Sequence, residues 1–302
     1  MLEVQDIVKQ YAKHLALDHV SFSIKKGSIF GLLGPNGAGK TSLIRIINQI
    51  TAPDNGEILF NGEPLSEKHI SQIGYLPEER GLYKKMLIGE QMLYLAQLKG
   101  LSRADAVERI KHWFEKMDME TWWNKRVEDL SKGMQQKVQF VATVIHQPEL
   151  IILDEPFTGF DPVNVDVIKN EIIDLNKKGA TIIFSTHRME SVEELCDSIV
   201  LINKSKKVLD GKVSEIKNTY RKHQYLIKYS DRLPLLNPEE NELFKVLNIQ
   251  ELEDGNKATI ELVNNYNIND VLGHLINQVQ LQEFTEIIPS IHDIFVKQVK
   301  EN

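Results

Sequence analysis

Eight consecutive residues, Gly34-Pro35-Asn36-Gly37-Ala38-Gly39-Lys40-Thr41, have the types and spacing needed to grip a chain of phosphates. Glycines let backbone N–H groups curl around phosphate oxygens, and a helix starting there adds the positive end of its dipole. The spacing brings Lys40 to the β- and γ-phosphates and offers the Thr41 hydroxyl, with Ser42 next on the same helix start, to a Mg²⁺-bound triphosphate. A second group follows the apolar run Leu150-Ile151-Ile152-Leu153, which ends on Asp154 and Glu155. Asp154 at a strand end suits Mg²⁺ or its water shell, and Glu155 beyond it suits polarising a water aimed at the γ-phosphate. A water-activating glutamate points to hydrolysis rather than phosphoryl transfer to a substrate. Asn203-Lys204-Ser205-Lys206 ends in lysine where guanine reading would want aspartate, which disfavours a GTPase.

These residues need a scaffold, and the first two-thirds of the chain supplies an α/β pattern. Short apolar runs at Val20 to Ile24, Ile29 to Leu33, Ile58 to Phe60, Leu150 to Leu153, Thr181 to Ser185 and Ile199 to Ile202 lack period-2 alternation. They read as strands buried on both faces of a mostly parallel sheet. Helices are expected at Thr41 to Gln49 and at Asp166 to Lys178, the latter stopped by Gly179. Ile88 to Gln147 reads almost wholly helical and interrupts the alternation, so it is expected as an inserted subdomain at about 88–147. After Asp210-Gly211 the texture changes. Lys212 to Gln224 is polar and basic, Tyr225 to Tyr229 and Ala258 to Val263 alternate like strands, and helices are expected at Asn269 to Gln278 and Ile291 to Lys300. Ser290 and Asp293 have the spacing of a capping box. The expected fold is α/β: a P-loop NTPase core over 1–220 with the helical insertion, then a small α+β domain over 221–302.

Composition narrows the setting. The 302 residues are 42% hydrophobic and 26% charged, ordinary values that exclude disorder. A net charge of -7 argues against nucleic-acid binding, which shows a basic footprint. No apolar run approaches the roughly 20 residues of a membrane helix. The acids Glu3 and Asp6 stand where a signal peptide would be basic, and the single cysteine, Cys196, has no partner for an internal disulfide. A cytoplasmic setting is therefore expected.

Five further elements follow in an order that resembles the ATP-binding subunits of ABC transporters, over residues 1 to about 215. They are Tyr11, Gly74-Tyr75-Leu76-Pro77-Glu78, Leu130-Ser131-Lys132-Gly133-Met134, Thr158-Gly159-Phe160-Asp161 and Ser185-Thr186-His187. The resemblance implies that Tyr11 stacks on adenine, that Glu78 stands where the family usually has a Mg²⁺-contacting glutamine, and that His187 steadies the γ-phosphate. It also implies that Ser131 and Gly133 contact ATP held by the opposite chain, with Asp161 in a loop crossing the dimer interface. Lys132 and Met134 replace the glycine and glutamine usual in that signature, and the remaining eight histidines show no metal-ligand pairing. Implied with the family are ATP and Mg²⁺, a homodimer or heterodimer of ATP-binding subunits, and a separate multi-span permease. That permease would dock near Gly81-Leu82-Tyr83 and Met86-Leu87 and hold the chain at the inner face of the cell membrane. The region from 221 to 302, and the phrase Leu76-Pro77-Glu78-Glu79-Arg80-Gly81-Leu82-Tyr83, resemble bacterial sodium- and drug-export subunits. The alternative is a soluble ABC-type ATPase acting on ribosomes or DNA; such proteins usually carry two ATPase units, a long coiled coil or a zinc site, and none is visible here.

Overall fold

The computed structural model describes residues 1–79, 81–230, 242–263 and 267–301; Arg80 of the export-like phrase lies outside them. The chain divides into two compact units, Met1–Val213 with Phe295–Asn302, and Ser214–Ile294.

In the first unit, β1 (Leu2–Tyr11), β2 (His14–Ile24), β4 (Asn55–Phe60) and β5 (Glu63–Pro64) form an antiparallel sheet in the order β2-β1-β4-β5. A second sheet runs β10-β9-β3-β8-β7-β6. It contains β3 (Ile29–Leu33), β6 (Ile73–Leu76), β7 (Leu150–Asp154), β8 (Thr181–Ser185), β9 (Ser198–Asn203) and β10 (Lys206–Lys212). From β9 to β6 the strands are parallel, and β10 closes the edge as an antiparallel hairpin partner of β9. Every residue of β3, β7 and β8 is buried, which is why their sequences are unbroken apolar runs. Phe30, Leu32, Leu150, Ile152, Ile183 and Val200 share one core with Leu2, Val4, Leu17 and Phe60 of the antiparallel sheet. The helix α1 (Lys40–Ile47) adds Leu43, Ile44 and Ile47 to it. Phe22 stacks on Phe30 with centroids 5.3 Å apart, tying sheet to sheet. Each such side chain contributes about 1.5–3 kcal/mol by leaving water.

The inserted segment is helical as its periodicity predicts: α2 (Ile88–Leu98), α3 (Arg103–Lys116) and α4 (Lys132–Val144). Between α3 and α4 the chain makes only short 3₁₀ turns, at Glu120–Trp122 and Val127–Asp129. Trp113 of α3 meets Phe140 of α4 edge to face, centroids 6.2 Å apart. The helix α5 (Pro162–Lys177) begins four residues before its expected start at Asp166. Asp161 caps it and Pro162 occupies its first turn, where the missing N–H costs nothing. The short α6 (Met189–Leu195) follows β8, and α7 (Val213–Thr219) forms within the polar stretch by burying Val213 and Ile216.

The second unit is an antiparallel sheet in the order β12-β13-β11-β14. Its strands are β11 (Gln224–Tyr229), β12 (Phe244–Leu252), β13 (Gly255–Leu262) and β14 (Leu281–Ile287). The helix α8 (Ile268–Gln278) lays Val271 and Leu275 on Tyr225, Ile227, Tyr229, Ala258 and Ile260. Alternate residues of β11 supply that face, the period-2 signature of a half-buried strand. At the start of α9 (Ile291–Glu301) the capping box is reciprocal: Asp293 N–H donates to Ser290 Oγ, and Ser290 N–H to Asp293 Oδ2, both at 3.1 Å.

Candidate nucleotide site

Parallel strands put their carboxyl ends on a common edge, and four of them deliver polar groups there. β3 runs into the Gly34–Lys40 loop, β6 into Pro77-Glu78, β7 ends on Asp154 beside Glu155, and β8 runs into Thr186-His187. The register sets these ends side by side, with Leu76 opposite Leu153, Asp154 opposite Ser185 and Ser185 opposite Leu32. The cleft they surround measures about 420 Å³ and is lined by Tyr11, His14, Ala16, Asn36, Gly37, Ala38, Gly39, Lys40, Thr41, Ser42, Glu78, Asp154, Glu155 and His187.

The loop is shaped by close backbone approach. Gly39 has φ +112°, and a Cβ there would lie 2.2 Å from the Ala16 carbonyl oxygen, so only glycine lets the loop press against β2. Lys40 Nζ folds back to donate to the carbonyls of Gly34 at 2.6 Å and Pro35 at 3.1 Å. Burial holds the Lys40 ammonium below its usual range, with Asp154, Glu155 and Glu78 pulling the other way. Burial likewise pushes the Asp154 carboxyl up.

Glu155 is a non-glycine residue at φ +49°, and its N–H donates to the Ser185 carbonyl at 2.8 Å. Such a backbone is sparsely populated and persists where the surroundings enforce it. Three donors then fix its side chain. Thr186 Oγ1 donates to Oε2 at 3.1 Å, the His187 N–H to Oε1 at 2.9 Å, and His187 Nδ1 lies 2.9 Å from the same oxygen. The carboxylate is 12% exposed and the imidazole 74%, so the pair has a fixed root and an open tip.

Some expected residues lie off this cleft. Gly34 and Pro35 serve it only through the carbonyls that hold Lys40. Ser131 caps α4, its Oγ accepting from the Met134 N–H at 3.3 Å. Asp161 caps α5, accepting from the Asn164 N–H at 3.0 Å. Gly133 approaches the Gly159 carbonyl and the Phe160 ring, so the starts of α4 and α5 make one separate patch. His14 and Ala16 are contributions that motif reading missed, and the hold of Thr186 on Glu155 is a role that its motif did not signal. His14 sits opposite Tyr11 at the end of the β1–β2 hairpin, a pairing signalled by no motif.

A parallel sheet with a phosphate loop and an acid pair at its carboxyl edge defines a P-loop ATPase. Residues 17–158 match the family described as ABC transporter, and residues 211–299 match the C-terminal domain described as that of DrrA1-3-like ATP-binding proteins. The chain is 41% identical to the uncharacterized ABC transporter ATP-binding protein YhaQ of Bacillus subtilis, over 99% of this chain and 98% of that one. It is 34% identical to the linearmycin resistance ATP-binding protein LnrL of the same organism, over 72% and 70% of the two chains. A solved ATP-binding subunit of an ABC transporter superposes with TM-score 0.68 at 32% identity, over 73% of this chain and 93% of that one. The chain belongs to the ATP-binding, ATP-hydrolysing proteins of the ABC transporter family.

Proposed function

We propose that this chain powers an exporter, as one of two ATP-binding subunits, alike or different, that close head to tail around two nucleotides on a separate multi-span permease. The observation that carries the reading is a single cleft with Lys40 and its loop on one wall and the Glu155–His187 pair on another. The Tyr11 ring receives adenine, the loop N–H groups and Lys40 hold the β- and γ-phosphates, and Glu155 takes a proton from water. As that water oxygen bonds to the γ-phosphorus, the bond to the β–γ bridging oxygen breaks and ADP and phosphate remain. His187 steadies the γ-phosphate from its exposed position, while Thr186 keeps Glu155 aimed.

Thr41, Asp154 and Glu78 present a hydroxyl and two carboxylates to the cleft, the hard oxygen donors that Mg²⁺ takes. These three would hold the ion, which supplies positive charge against the β- and γ-oxygens.

Ser131, Gly133 and Asp161 lie off their own cleft, which supports their serving the nucleotide of the opposite subunit. No described helix is long and apolar enough to cross a membrane, so the membrane step is assigned to the permease and this chain to its inner face. Tyr83, Tyr94 and Leu98 keep large apolar surfaces exposed, at 56%, 43% and 64%, and Tyr83 lies edge-on to Tyr94. This is the surface we assign to the permease. The relative named for linearmycin resistance favours export, since expelling a compound confers resistance to it. Purifying the chain from its native membranes in mild detergent tests the assembly. A multi-span protein at near-stoichiometric yield is expected; recovery only with ribosomes, or alone in the soluble fraction, would contradict it.

A further inference from the structure

The charges around the cleft do not balance. Glu78, Asp154 and Glu155 line it against a single ammonium, Lys40. That ammonium is engaged by the carbonyls of its own loop, at 2.6 and 3.1 Å. Glu155 is held by Thr186 and His187, and Asp154 is 5% exposed. Glu78 is therefore the addition that tips the balance.

Its position is built rather than accidental. Gln139, on α4, donates its Nε2 to the carbonyls of Pro77 and Glu79, both at 3.4 Å, gripping the chain on either side of Glu78. β6 fixes the approach from the other end through Leu76, which is wholly buried. The mutual field is felt across the cleft: Glu78 and Glu155 add to the upward push that burial gives Asp154. A triphosphate brings further negative charge into the same space, and like charges brought together cost affinity. Among the described residues no group of three or more His, Cys, Asp or Glu side chains could hold a metal by itself. A cation here needs phosphate oxygens to complete its shell, as Mg²⁺ commonly does with one or two carboxylates.

We propose that the cleft admits ATP as its complex with a divalent cation and turns free ATP away, and that Glu78 sets this choice. The inference rests on the ATP reading above and adds the form in which the nucleotide enters. Glutamine at this position keeps the shape and one oxygen but removes the charge, so it separates charge from packing.

Calorimetric titration of the full chain with ATP, once with excess Mg²⁺ and once with a chelator, tests it without reference to turnover. Wild type is expected to bind free ATP roughly thirtyfold more weakly than Mg·ATP. In Glu78→Gln free ATP should bind roughly tenfold more tightly than in wild type, with no gain for Mg·ATP. Glu78→Asp, which keeps the charge, should discriminate as wild type does and serves if the glutamine variant fails to fold. Glu79→Gln changes an exposed neighbour outside the cleft lining and should leave the ratio alone. Equal free-ATP affinity in wild type and Glu78→Gln would overturn the proposal, as would an equal gain for both ligands or an equal effect of Glu79→Gln. A wild type that binds neither form would overturn the ATP reading together with it.

Discussion

Glu155 shows how much is invested in one side chain: a left-handed backbone, a buried root and three donors on its carboxylate. Lys40 is the complementary investment, a partly desolvated ammonium held by its own loop. Lys40→Ala should weaken ATP binding by roughly ten- to a hundredfold, the range for losing a charged hydrogen-bonding group, as read by calorimetry. Unchanged affinity would remove Lys40 from the phosphate site. Away from the cleft, burial, with Lys99 and Arg109 adding, pushes the His146 imidazole down to about 4 from its ordinary value of 6.5. Between those values the unfolded chain binds a proton that the folded chain refuses. Stability is therefore complete above about pH 6.5 and is lost as pH falls toward 4, by roughly 2 kcal/mol after solvent screening. Melting curves of wild type and His146→Gln should converge across this window as pH falls, because the variant lacks this proton-linked slope. Parallel curves would show that His146 carries no such penalty.

Elements decide which residues meet. The phosphate loop and the acid pair were legible because each is local in sequence and each follows a strand buried on both faces, which reads as an unbroken apolar run. Their convergence follows from parallel pairing, since adjacent carboxyl ends share an edge. The hairpin bringing His14 opposite Tyr11 was not legible: β1 mixes acids and polar residues among Leu2, Val4 and Ile7, and its register shifts at several points. The same holds for β12, whose residues beyond Phe244 are largely exposed, and for α7, set by two apolar residues in a charged stretch. Helix-to-strand packing brings its own test. A Cβ at Gly74 would lie 2.4 Å from the Thr143 backbone carbonyl oxygen and 3.0 Å from the Pro148 ring, so β6 packs directly against the backbone of α4 there. Gly74→Ala should cost about 1–3 kcal/mol and lower the melting temperature by roughly 2–4 °C per kcal/mol. A melting temperature equal to wild type would mean that α4 shifts away freely.

For the molecule as a whole, the cleft holds the phosphate loop and the acids, while the signature patch at Ser131 and Gly133 stands apart from it. In the proposed mechanism a site divided in this way is completed by a second chain, so that nucleotide bridges the two chains and hydrolysis removes the bridge. In the sequence it is the order of the motifs, which resembles the family's, that points to such a partnership. If Glu155 is the general base as proposed, Glu155→Gln should slow turnover by roughly a hundred- to ten-thousandfold while leaving the phosphate loop untouched, and so should hold the proposed closed state. The decisive measurement is the mass of purified Glu155→Gln by light scattering with saturating Mg·ATP. Where two copies pair, the expected particle is near twice 34.7 kDa, carries two nucleotides and reverts to one chain when the ATP is removed. A particle of 34.7 kDa with ATP bound would contradict closure between two copies of this chain.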